Sequence, residues 1–264
     1  MVENFTCDAL KVRIYPSREE MGAAAAADIQ QAIREVLAGK DHCSMIFAAA
    51  PSQREVLASL AEAEGIDWGR VWAYHMDEYV GLPADAPQGF ANFLREALFD
   101  RVPFGRVSCL DSQAQPEEEC ARYAALLRED PADLVVMGVG ENGHIAFNDP
   151  HAARFDDPEL VKIVELDSVC RAQQVHDGCF AQVDDVPKRA MTLTVPALCG
   201  GGRVFCIVPA KTKARAVREM LEGPVEERCP ASILRRPPGG TLYLDKDSAS
   251  LLDSAPNRGN GGSL

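Results

Sequence analysis

The sequence lacks the spacings that build metal and disulfide frameworks. Its nine cysteines are scattered along 264 residues, are odd in number and include no C-x-x-C pair. Structural zinc sites need closely spaced Cys and His ligands, so we predict no metal at all. Without a disulfide pattern, the cysteines are best interpreted as reduced thiols of a cytoplasmic protein.

Leader segments, long apolar runs and excess positive charge are also missing. Residues 1–11 lack the apolar core of a signal peptide, and apolar stretches such as Met45–Ala50 are far too short to cross a bilayer. Asp and Glu number 40 against 27 Lys and Arg, a net charge of −13, which repels nucleic acid and anionic membranes. We therefore expect neither as a partner, whereas a small anionic substrate stays compatible because local cations and helix N-termini can dominate one pocket.

What is present is a globular composition, 47% hydrophobic and 25% charged, with short apolar runs alternating with helical patterns. Strands are predicted at 11–14, 44–48, 71–75, 134–137, 160–165, 191–194, 204–208 and 241–244. Helices are predicted at 21–37, opened by a Ser17/Glu20 capping box, and at 52–63, 89–98, 116–128 and 213–221. This order predicts an α/β fold: one doubly wound, mostly parallel sheet with helices on both faces. We expect a single domain over residues 1–253 and a disordered Gly-, Asn- and Ser-rich tail at 254–264.

In such folds, sites form beyond the carboxyl ends of strands, which directs attention to the loops after Ala48, Tyr74 and Met137. In the first loop, Ser52 is a natural N-cap, and the free N–H groups of that helical turn suit a phosphate. A capped helix end with nothing bound is the simpler interpretation of this loop alone. The loop also lacks the glycines of a nucleotide-binding fingerprint.

The second loop carries His75-Met-Asp77-Glu78. His75 and Asp77 would share one face if the strand continued through them. Acidic residues where a buried strand ends need partners, so Asp77 is either a general base or a structural cap. For an isolated Asp, the structural interpretation is favoured.

The third loop is the most informative stretch, running from Gly138 to Pro150 as GVGENGHIAFNDP. Three glycines after a buried strand indicate a tight turn or a close approach to a ligand. His144, with Asn142 and Asp149 nearby, has the makings of an acid/base device that works near neutral pH. A structural turn with a satisfied histidine explains the same residues equally well.

Taken together, the segments Met76–Leu82 (MDEYVGL) and Gly138–Pro150 resemble the glucosamine-6-phosphate deaminase family. Similarity continues at Arg171, at 186–193 and at 211–223, so that it spans most of the chain. The resemblance implies a doubly wound α/β domain with a small lid. It also implies conversion of glucosamine 6-phosphate to fructose 6-phosphate and ammonia with no metal or organic cofactor.

The resemblance further implies the roles of individual residues. Asp77 is the base that moves a proton between C2 and C1, His144 is the acid/base that opens the sugar ring, and Asn142 and Asp149 flank and orient His144. The residues expected to bind the substrate and its phosphate are Ala49, Ala50, Ser52, Gln53, Gly140, Gly143, Arg171 and Lys213. An arginine suits bidentate phosphate contact and a lysine acts as a point charge.

The sequence departs from the family pattern at three places. The phosphate loop is Ala-rich rather than Gly-rich, Asn142 stands where some members have Asp, and Asp149 stands where Glu is usual. Because Asp149 is shorter by roughly 1.5 Å, the relay to His144 is expected to be rearranged or mediated by water. Residues 151–162 keep few basic and hydroxyl groups, so we predict no activation by N-acetylglucosamine 6-phosphate.

Several alternatives stay open. A 6-phosphogluconolactonase-like hydrolase would need no C2 base, a galactosamine-6-phosphate deaminase would use the same machinery, and a non-catalytic sugar-phosphate sensor would bind without turnover. A metal hydrolase using His75, Asp77 and His144 is a further reading. The sequence does not fix the oligomeric state, and a homo-oligomer is one option.

Overall fold

The structure, a computed structural model, describes residues 2–252, which form eleven strands and seven α-helices. The strands are β1 (Glu3–Cys7), β2 (Leu10–Tyr15), β3 (Cys43–Phe47), β4 (Val71–His75), β5 (Asp77–Tyr79), β6 (Arg106–Ser108), β7 (Leu134–Met137), β8 (Val161–Glu165), β9 (Arg189–Leu193), β10 (Arg203–Val208) and β11 (Gly240–Asp245). The helices are α1 (Arg18–Gly39), α2 (Arg54–Ala61), α3 (Phe90–Leu94), α4 (Pro116–Glu129), α5 (Ser168–His176), α6 (Val195–Cys199) and α7 (Ala214–Glu222). None of these helices combines the length and apolarity needed to cross a membrane.

Eight strands form the main sheet in the order β1-β2-β11-β10-β7-β3-β4-β6. Only β1, which pairs with β2, runs antiparallel to its neighbour among the described residues. The chain proceeds from β3 outward to β4 and β6, returns to β7, and then proceeds the other way to β10 and β11. The order therefore reverses between β3 and β7, and an open α/β sheet has its ligand crevice at such a reversal.

Both faces of this sheet are buried, and the alternation of side chains along the strands explains why. In β7, Val136 belongs to the core cluster on the α1 and α2 side, whereas Val135 and Met137 belong to the cluster that includes α4 and α7. The same alternation holds in β3, where Met45 and Phe47 face one cluster and Ile46 the other. The predicted fold class, a mostly parallel sheet with helices on both faces, is confirmed.

A second, three-stranded antiparallel sheet, β5-β9-β8, corrects the expectation of one sheet. Met76 separates β4 from β5, and its carbonyl accepts a hydrogen bond from Leu193 N at the end of β9. The main chain after β4 thus leaves the parallel sheet and pairs with a segment more than a hundred residues later. The strands at 160–165 and 191–194 were predicted correctly as strands but belong to this second sheet.

The start of the helix after β3 differs from the prediction. Ser52 lies inside a short 3-10 turn, Pro51–Gln53, and α2 begins at Arg54 without a side-chain cap, so Ser52 is not an N-cap. Pro51, which has no N–H to donate, occupies the first position of this turn. By contrast, Ser17 caps α1 as predicted, since its hydroxyl accepts a hydrogen bond from Glu20 N.

Several elements were not predicted: β1, β5, β6, α5 and α6. β1, β5 and β6 have three to five residues, and α6 has only five, lengths at which periodicity carries little signal. The predicted tail at 254–264 lies outside the described residues. The nine cysteines all lie within the described part, and none of them forms a disulfide there.

Candidate active site

A cavity of about 370 Å³ opens at the carboxyl edge of the main sheet, where the strand order reverses. The loops after β3, β4 and β7 all reach it, as the sequence predicted for this edge. The predicted site residues that line it are Ala49, Ala50, Ser52, Gln53, Asp77, Gly140, His144 and Lys213. The topology thus gathers side chains that are far apart in sequence into one pocket of a size suited to a small metabolite.

His144 is held by two oxygen acceptors at the same ring nitrogen. Its Nδ1 lies 2.7 Å from Asn142 Oδ1 and 3.1 Å from Asp149 Oδ1. Because both neighbours present oxygen, Nδ1 carries the hydrogen, and Nε2 is the nitrogen left to exchange a proton with a bound molecule. His144 borders the cavity while Asn142 and Asp149 stand behind it, outside the lining.

The Asp149 contact with His144 is direct, so of the two expected consequences of the shorter side chain, a rearranged relay or one mediated by water, the second is wrong. Asp149 is fully buried and also accepts hydrogen bonds from Asn142 Nδ2 at 3.0 Å and from Asp167 N at 3.3 Å. Burial alone would raise the pKa of this carboxyl, but His144 and these donors hold the pKa below its ordinary value. Asp149 is therefore an anionic partner for the imidazole.

The network behind His144 extends to α5. Asp167 caps this helix by accepting a hydrogen bond from Cys170 N at 2.6 Å, and its other oxygen accepts from Asn142 Nδ2 at 3.2 Å. Gln173, one turn further on, accepts from Glu141 N at 2.8 Å. These bonds fix α5 against the Gly-rich loop, and the Asp167 cap was a signal that the sequence analysis missed.

Two glycines of the loop have different structural roles. A Cβ on Gly140 would lie 2.1 to 2.3 Å from the ring atoms of His144, so only glycine leaves room for the imidazole. Gly143 has a φ of +82°, and a Cβ there would lie 2.8 Å from Cys229 Sγ. Gly143 does not line the cavity, so the structure offers it a turn-forming role rather than direct contact with a ligand.

Asp77 and Glu78 are neighbours in sequence but have opposite surroundings. Glu78 accepts hydrogen bonds from the backbone N–H groups of Tyr79, Phe90 and Ala91, which fixes the start of α3. The carboxylate of Asp77, 6% exposed, borders the cavity and has no hydrogen bond within residues 2–252. Burial, with a contribution from the Glu78 charge, raises the pKa of Asp77 to about 7.

This contrast separates the two readings that the sequence left open. Glu78 is the structural cap, and Asp77 is the carboxylate available to a ligand. A carboxyl group with a pKa near neutrality in a cavity is suited to accepting and returning a proton.

Lys213 supplies a cation to the other part of the site. It is 5% exposed, lines the cavity and forms no salt bridge with any described residue. Burial lowers the pKa of its ammonium group, and Asp177 and Glu141 partly offset this. A buried cation without an ion-pair partner is a candidate anion-binding group.

Gln53 joins the loop after β3 to β10, the strand that precedes Lys213. Gln53 Nε2 donates to the carbonyl of Ile207 and to Ser52 Oγ, both at 3.1 Å, and Lys213 follows five residues after that strand. Among the described residues, the amide oxygen of Gln53 has no hydrogen-bond partner. Ser52, Gln53 and Lys213 all line the cavity, and we refer to these three polar residues together as the polar corner.

Arg171 does not line the cavity in this structure. Its guanidinium donates to the carbonyl oxygens of Val183 and Val186, in the segment after α5. Nothing in the local sequence indicated that these carbonyls would engage the side chain. Its expected contact with a phosphate stays a prediction that requires the guanidinium to leave these carbonyls.

Several lining residues were not identified from the sequence. α5 and the turn after it contribute Gln173, Gln174, Asp177 and Cys179, and Arg54, Gln88 and Phe93 also line the cavity. Because α5 was not predicted, its cavity-facing side could not be read from periodicity. The Asp167 cap was the available clue.

Two groups of side chains could hold a metal ion among the described residues: His144 with Asp149 and Cys170, and Asp149 with His151 and Asp167. Burial and the nearby carboxylates raise the pKa of the Cys170 thiol, which disfavours the thiolate that a metal would need. His75, Asp77 and His144 form no such group in the described part of the chain. The proposed His75-Asp77-His144 metal hydrolase is therefore not supported by the geometry.

Comparison with known proteins identifies relatives of the whole described fold. The profile of the family described as glucosamine-6-phosphate isomerases/6-phosphogluconolactonase matches residues 16–244. A protein named glucosamine-6-phosphate deaminase from Bacillus cereus (strain B4264) is 35% identical over 224 residues, which are 84% of this chain and 83% of the relative. The protein of the same name from Bacillus thuringiensis (strain Al Hakam) is 34% identical over the same shares.

Solved structures agree with these relatives. A monomeric glucosamine-6-phosphate deaminase superposes with a TM-score of 0.83 at 28% identity, covering 91% of this chain and 99% of its own. A 6-phosphogluconolactonase from Thermotoga maritima superposes with a TM-score of 0.74 at 22% identity, covering 90% and 100%. At that identity the second likeness concerns the fold alone.

Proposed function

The chain belongs to the glucosamine-6-phosphate isomerase/6-phosphogluconolactonase family, and from this premise we propose that it is an enzyme that converts glucosamine 6-phosphate and water to fructose 6-phosphate and ammonia. The observation that carries the proposal is that one cavity contains both the Asp77 carboxylate, which has no hydrogen bond within the described residues, and the buried Lys213 ammonium. The relatives named glucosamine-6-phosphate deaminase support the same reaction.

The substrate would bind with its phosphate at the polar corner formed by Ser52, Gln53 and Lys213. Lys213 supplies the charge, and Gln53 and Ser52 supply polar groups beside it. Ionic attraction in a largely buried site is strong enough to hold the distant end of the sugar, and this fixes the reacting carbons. Arg171 would join the phosphate only if substrate binding drew it away from its carbonyl partners.

Ring opening would be the work of His144. Its Nε2 takes the proton of the C1 hydroxyl and returns a proton to the ring oxygen, leaving an aldehyde at C1. Asp149 stabilises the imidazolium that exists between these two transfers, and Asn142 helps to orient the ring. The neutral Asn142 leaves Asp149 as the anion that faces Nδ1.

Asp77 would carry out the isomerisation. The aldehyde acidifies the C2 proton, which Asp77 removes while the C1 oxygen takes a proton from the ammonium group on C2, so that an enolamine with a C1 hydroxyl forms. The same carboxyl returns the proton to C1, leaving a protonated imine at C2. Water then adds to C2, the C2–N bond breaks, and the products are the ketone and ammonia. A base with a pKa of about 7 is suited to both the removal and the return of the proton.

The 6-phosphogluconolactonase alternative is less well supported. Lactone hydrolysis has no use for a base at C2, whereas Asp77 occupies the cavity with no structural bond of its own. Galactosamine 6-phosphate remains a second candidate substrate of the same class. A non-catalytic sugar-phosphate sensor would use Lys213 and the Ser52 loop, but it would have no use for Asp77 or for the His144–Asp149 pair.

We also propose a role in amino-sugar breakdown, including that of N-acetylglucosamine, within the cytoplasm, where cysteines outside disulfides, as in the described residues, are usual. A homo-oligomer and insensitivity to N-acetylglucosamine 6-phosphate stay predictions. Steady-state kinetics with and without that ligand would test the second of these.

The test is to incubate the purified protein with glucosamine 6-phosphate and to follow ammonia and fructose 6-phosphate together. We expect equal release of both products, lost in Asp77→Asn and kept in Asp85→Asn, which alters an exposed carboxylate on a loop. Hydrolysis of 6-phosphogluconolactone without ammonia release would support the lactonase. Binding of either amino-sugar phosphate without turnover would support the sensor.

A further inference from the structure

His75 is a buried histidine for which the proposed reaction has no direct use. It is 0% exposed at the end of β4, two residues before Asp77, and does not line the cavity. Neither of its ring nitrogens has a hydrogen-bond partner within residues 2–252. Its Nε2 lies 3.6 Å from Glu78 Oε2. A fully buried imidazole without ordinary hydrogen bonds is costly unless its charge or its position has a use.

The charge on Glu78 accounts for part of this arrangement. Its carboxylate accepts three backbone N–H hydrogen bonds, two of them from the start of α3. These N–H groups point their partial positive charge at the carboxylate oxygens. The backbone donors carry no net charge, so the buried anion still needs a cation nearby, and His75 is the ionisable base placed against it.

Asp77 adds a second negative charge to the same stretch. Its carboxylate has no donor of its own, and ionisation beside Glu78 is opposed by like-charge repulsion. An imidazolium at His75 offsets that repulsion. His75, Asp77 and Glu78 thus lie within four consecutive chain positions, and the net charge of these three side chains depends on whether the His75 ring is protonated.

We infer that His75 is a positioning residue that remains protonated, pairs with Glu78 and thereby keeps Asp77 ionised and ready to act as the base. The inference deepens the proposed function and rests on it. It assigns the ring an electrostatic role, without contact to the substrate.

The other groups around the ring are compatible with a cation. Burial lowers the pKa of the imidazole, but the influence of Cys109 and Glu78 more than offsets this, so that the pKa rises to about 10. The Tyr123 ring meets the His75 ring edge-on with 6.3 Å between centroids, but its hydroxyl is bound to the backbone: it accepts from His75 N, and its single hydrogen is shared between the carbonyls of His75 and Ser108.

A pH profile distinguishes this role from a merely structural one. For the unmodified enzyme, log kcat/KM should fall with decreasing pH as Asp77 takes up a proton. In His75→Asn the cation is lost, so we expect this acid limb to move to higher pH by about one unit or more, the usual effect of removing one nearby opposite charge. Tyr123→Phe is the matched control, since it disturbs the packing around His75 and keeps the imidazole. Its acid limb should stay in place.

Histidine NMR tests the charge without using activity. The five histidines can be assigned by substituting His42, His144, His151 and His176 one at a time, which leaves His75 by elimination even if its own variant does not fold. We expect the His75 ring to keep the carbon and nitrogen shifts of an imidazolium from pH 5.5 to pH 8.5. A neutral ring at pH 7, or an unmoved acid limb in a folded His75→Asn, overturns the inference. Absence of turnover in the unmodified protein would instead refute the proposed function, and the NMR result would still decide the charge of the ring.

Discussion

Replacing Gly140 with alanine tests whether the position of the His144 ring matters for turnover. The added Cβ would lie 2.1 Å from Cε1, 2.2 Å from Nε2 and 2.3 Å from Nδ1 of that ring, whereas ordinary contacts begin near 3.4 Å. The imidazole must therefore shift by roughly 1.3 Å. The backbone at Gly140 is tied to the same residue, since its N–H donates to the carbonyl of His144 at 2.9 Å, so the loop cannot easily move aside.

A shift of this size also breaks the contact between Nδ1 and Asp149. Misplacement of a reacting group by about 1 Å can reduce a rate by about 100-fold, which corresponds to roughly 2.7 kcal/mol of transition-state stabilisation. We expect Gly140→Ala to lower kcat by about two orders of magnitude. KM should change less, because the phosphate corner is untouched.

The assay is ammonia release under steady-state conditions, with thermal unfolding measured in parallel. Gly39→Ala is the matched control, because a Cβ at Gly39 would meet nothing within 4 Å. It should keep full activity. A folded Gly140→Ala enzyme with activity within threefold of the unmodified protein would refute the reasoning. Either turnover would then tolerate a displaced His144 ring, or the loop would have moved aside without loss of activity.

Three further predictions follow from the same geometry. Lys213→Met removes the buried cation and should raise KM for the sugar phosphate by roughly 10- to 100-fold. Lys211→Met, at an exposed position, is the control and should leave KM unchanged. Equal KM values for the two variants in initial-rate kinetics would contradict the assignment of Lys213 to the phosphate. Glu78→Gln leaves backbone donors of α3 without a carboxylate and should lower the free energy of unfolding in urea by about 1–3 kcal/mol. An unchanged urea midpoint of unfolding would show that Glu78 does not cap α3. Because burial raises the pKa of Asp77 to about 7, its folded carboxyl binds a proton more tightly than the unfolded one, so stability is lost as pH rises toward 7. Asp77→Asn should therefore raise the Tm at pH 8 by several degrees and change it little at pH 3.5; a variant that is less stable at pH 8 would exclude this burial effect.

Local pattern was sufficient for much of the fold. Continuous apolar runs predicted β4 and β7 at their observed bounds, and Ser17 was correctly identified as the cap of α1. Strands alternating with helices indicated the parallel sheet, and the parallel sheet in turn indicated that the loops after three of its strands would meet. These features depend on neighbours along the chain, so the sequence displays them directly.

The residues of the candidate site could be predicted only in part from local sequence patterns. The motif around His144 singled out Asn142 and Asp149, but only the fold shows that Asp149 reaches the ring without help and that Arg171 is occupied elsewhere. In the sequence, Asp77 and Glu78 are two adjacent acidic residues that no local pattern distinguishes. They are distinguished by the N–H groups of residues 90 and 91, which the chain brings to Glu78 and not to Asp77.

By itself, then, the sequence determined the class of sheet, the positions of its main strands along the chain and the loops that carry chemistry, because hydrophobic period and capping residues act over a few positions. The tertiary structure alone decided the second sheet, the placement of α5 beside the cavity and the surroundings of His75, Asp77 and Glu78. Each of these depends on contacts between segments distant along the chain, such as Asp77 with Thr192 across two strands. The ionisation of a buried group depends on those contacts, and the contacts cannot be predicted from the periodicity of the local sequence.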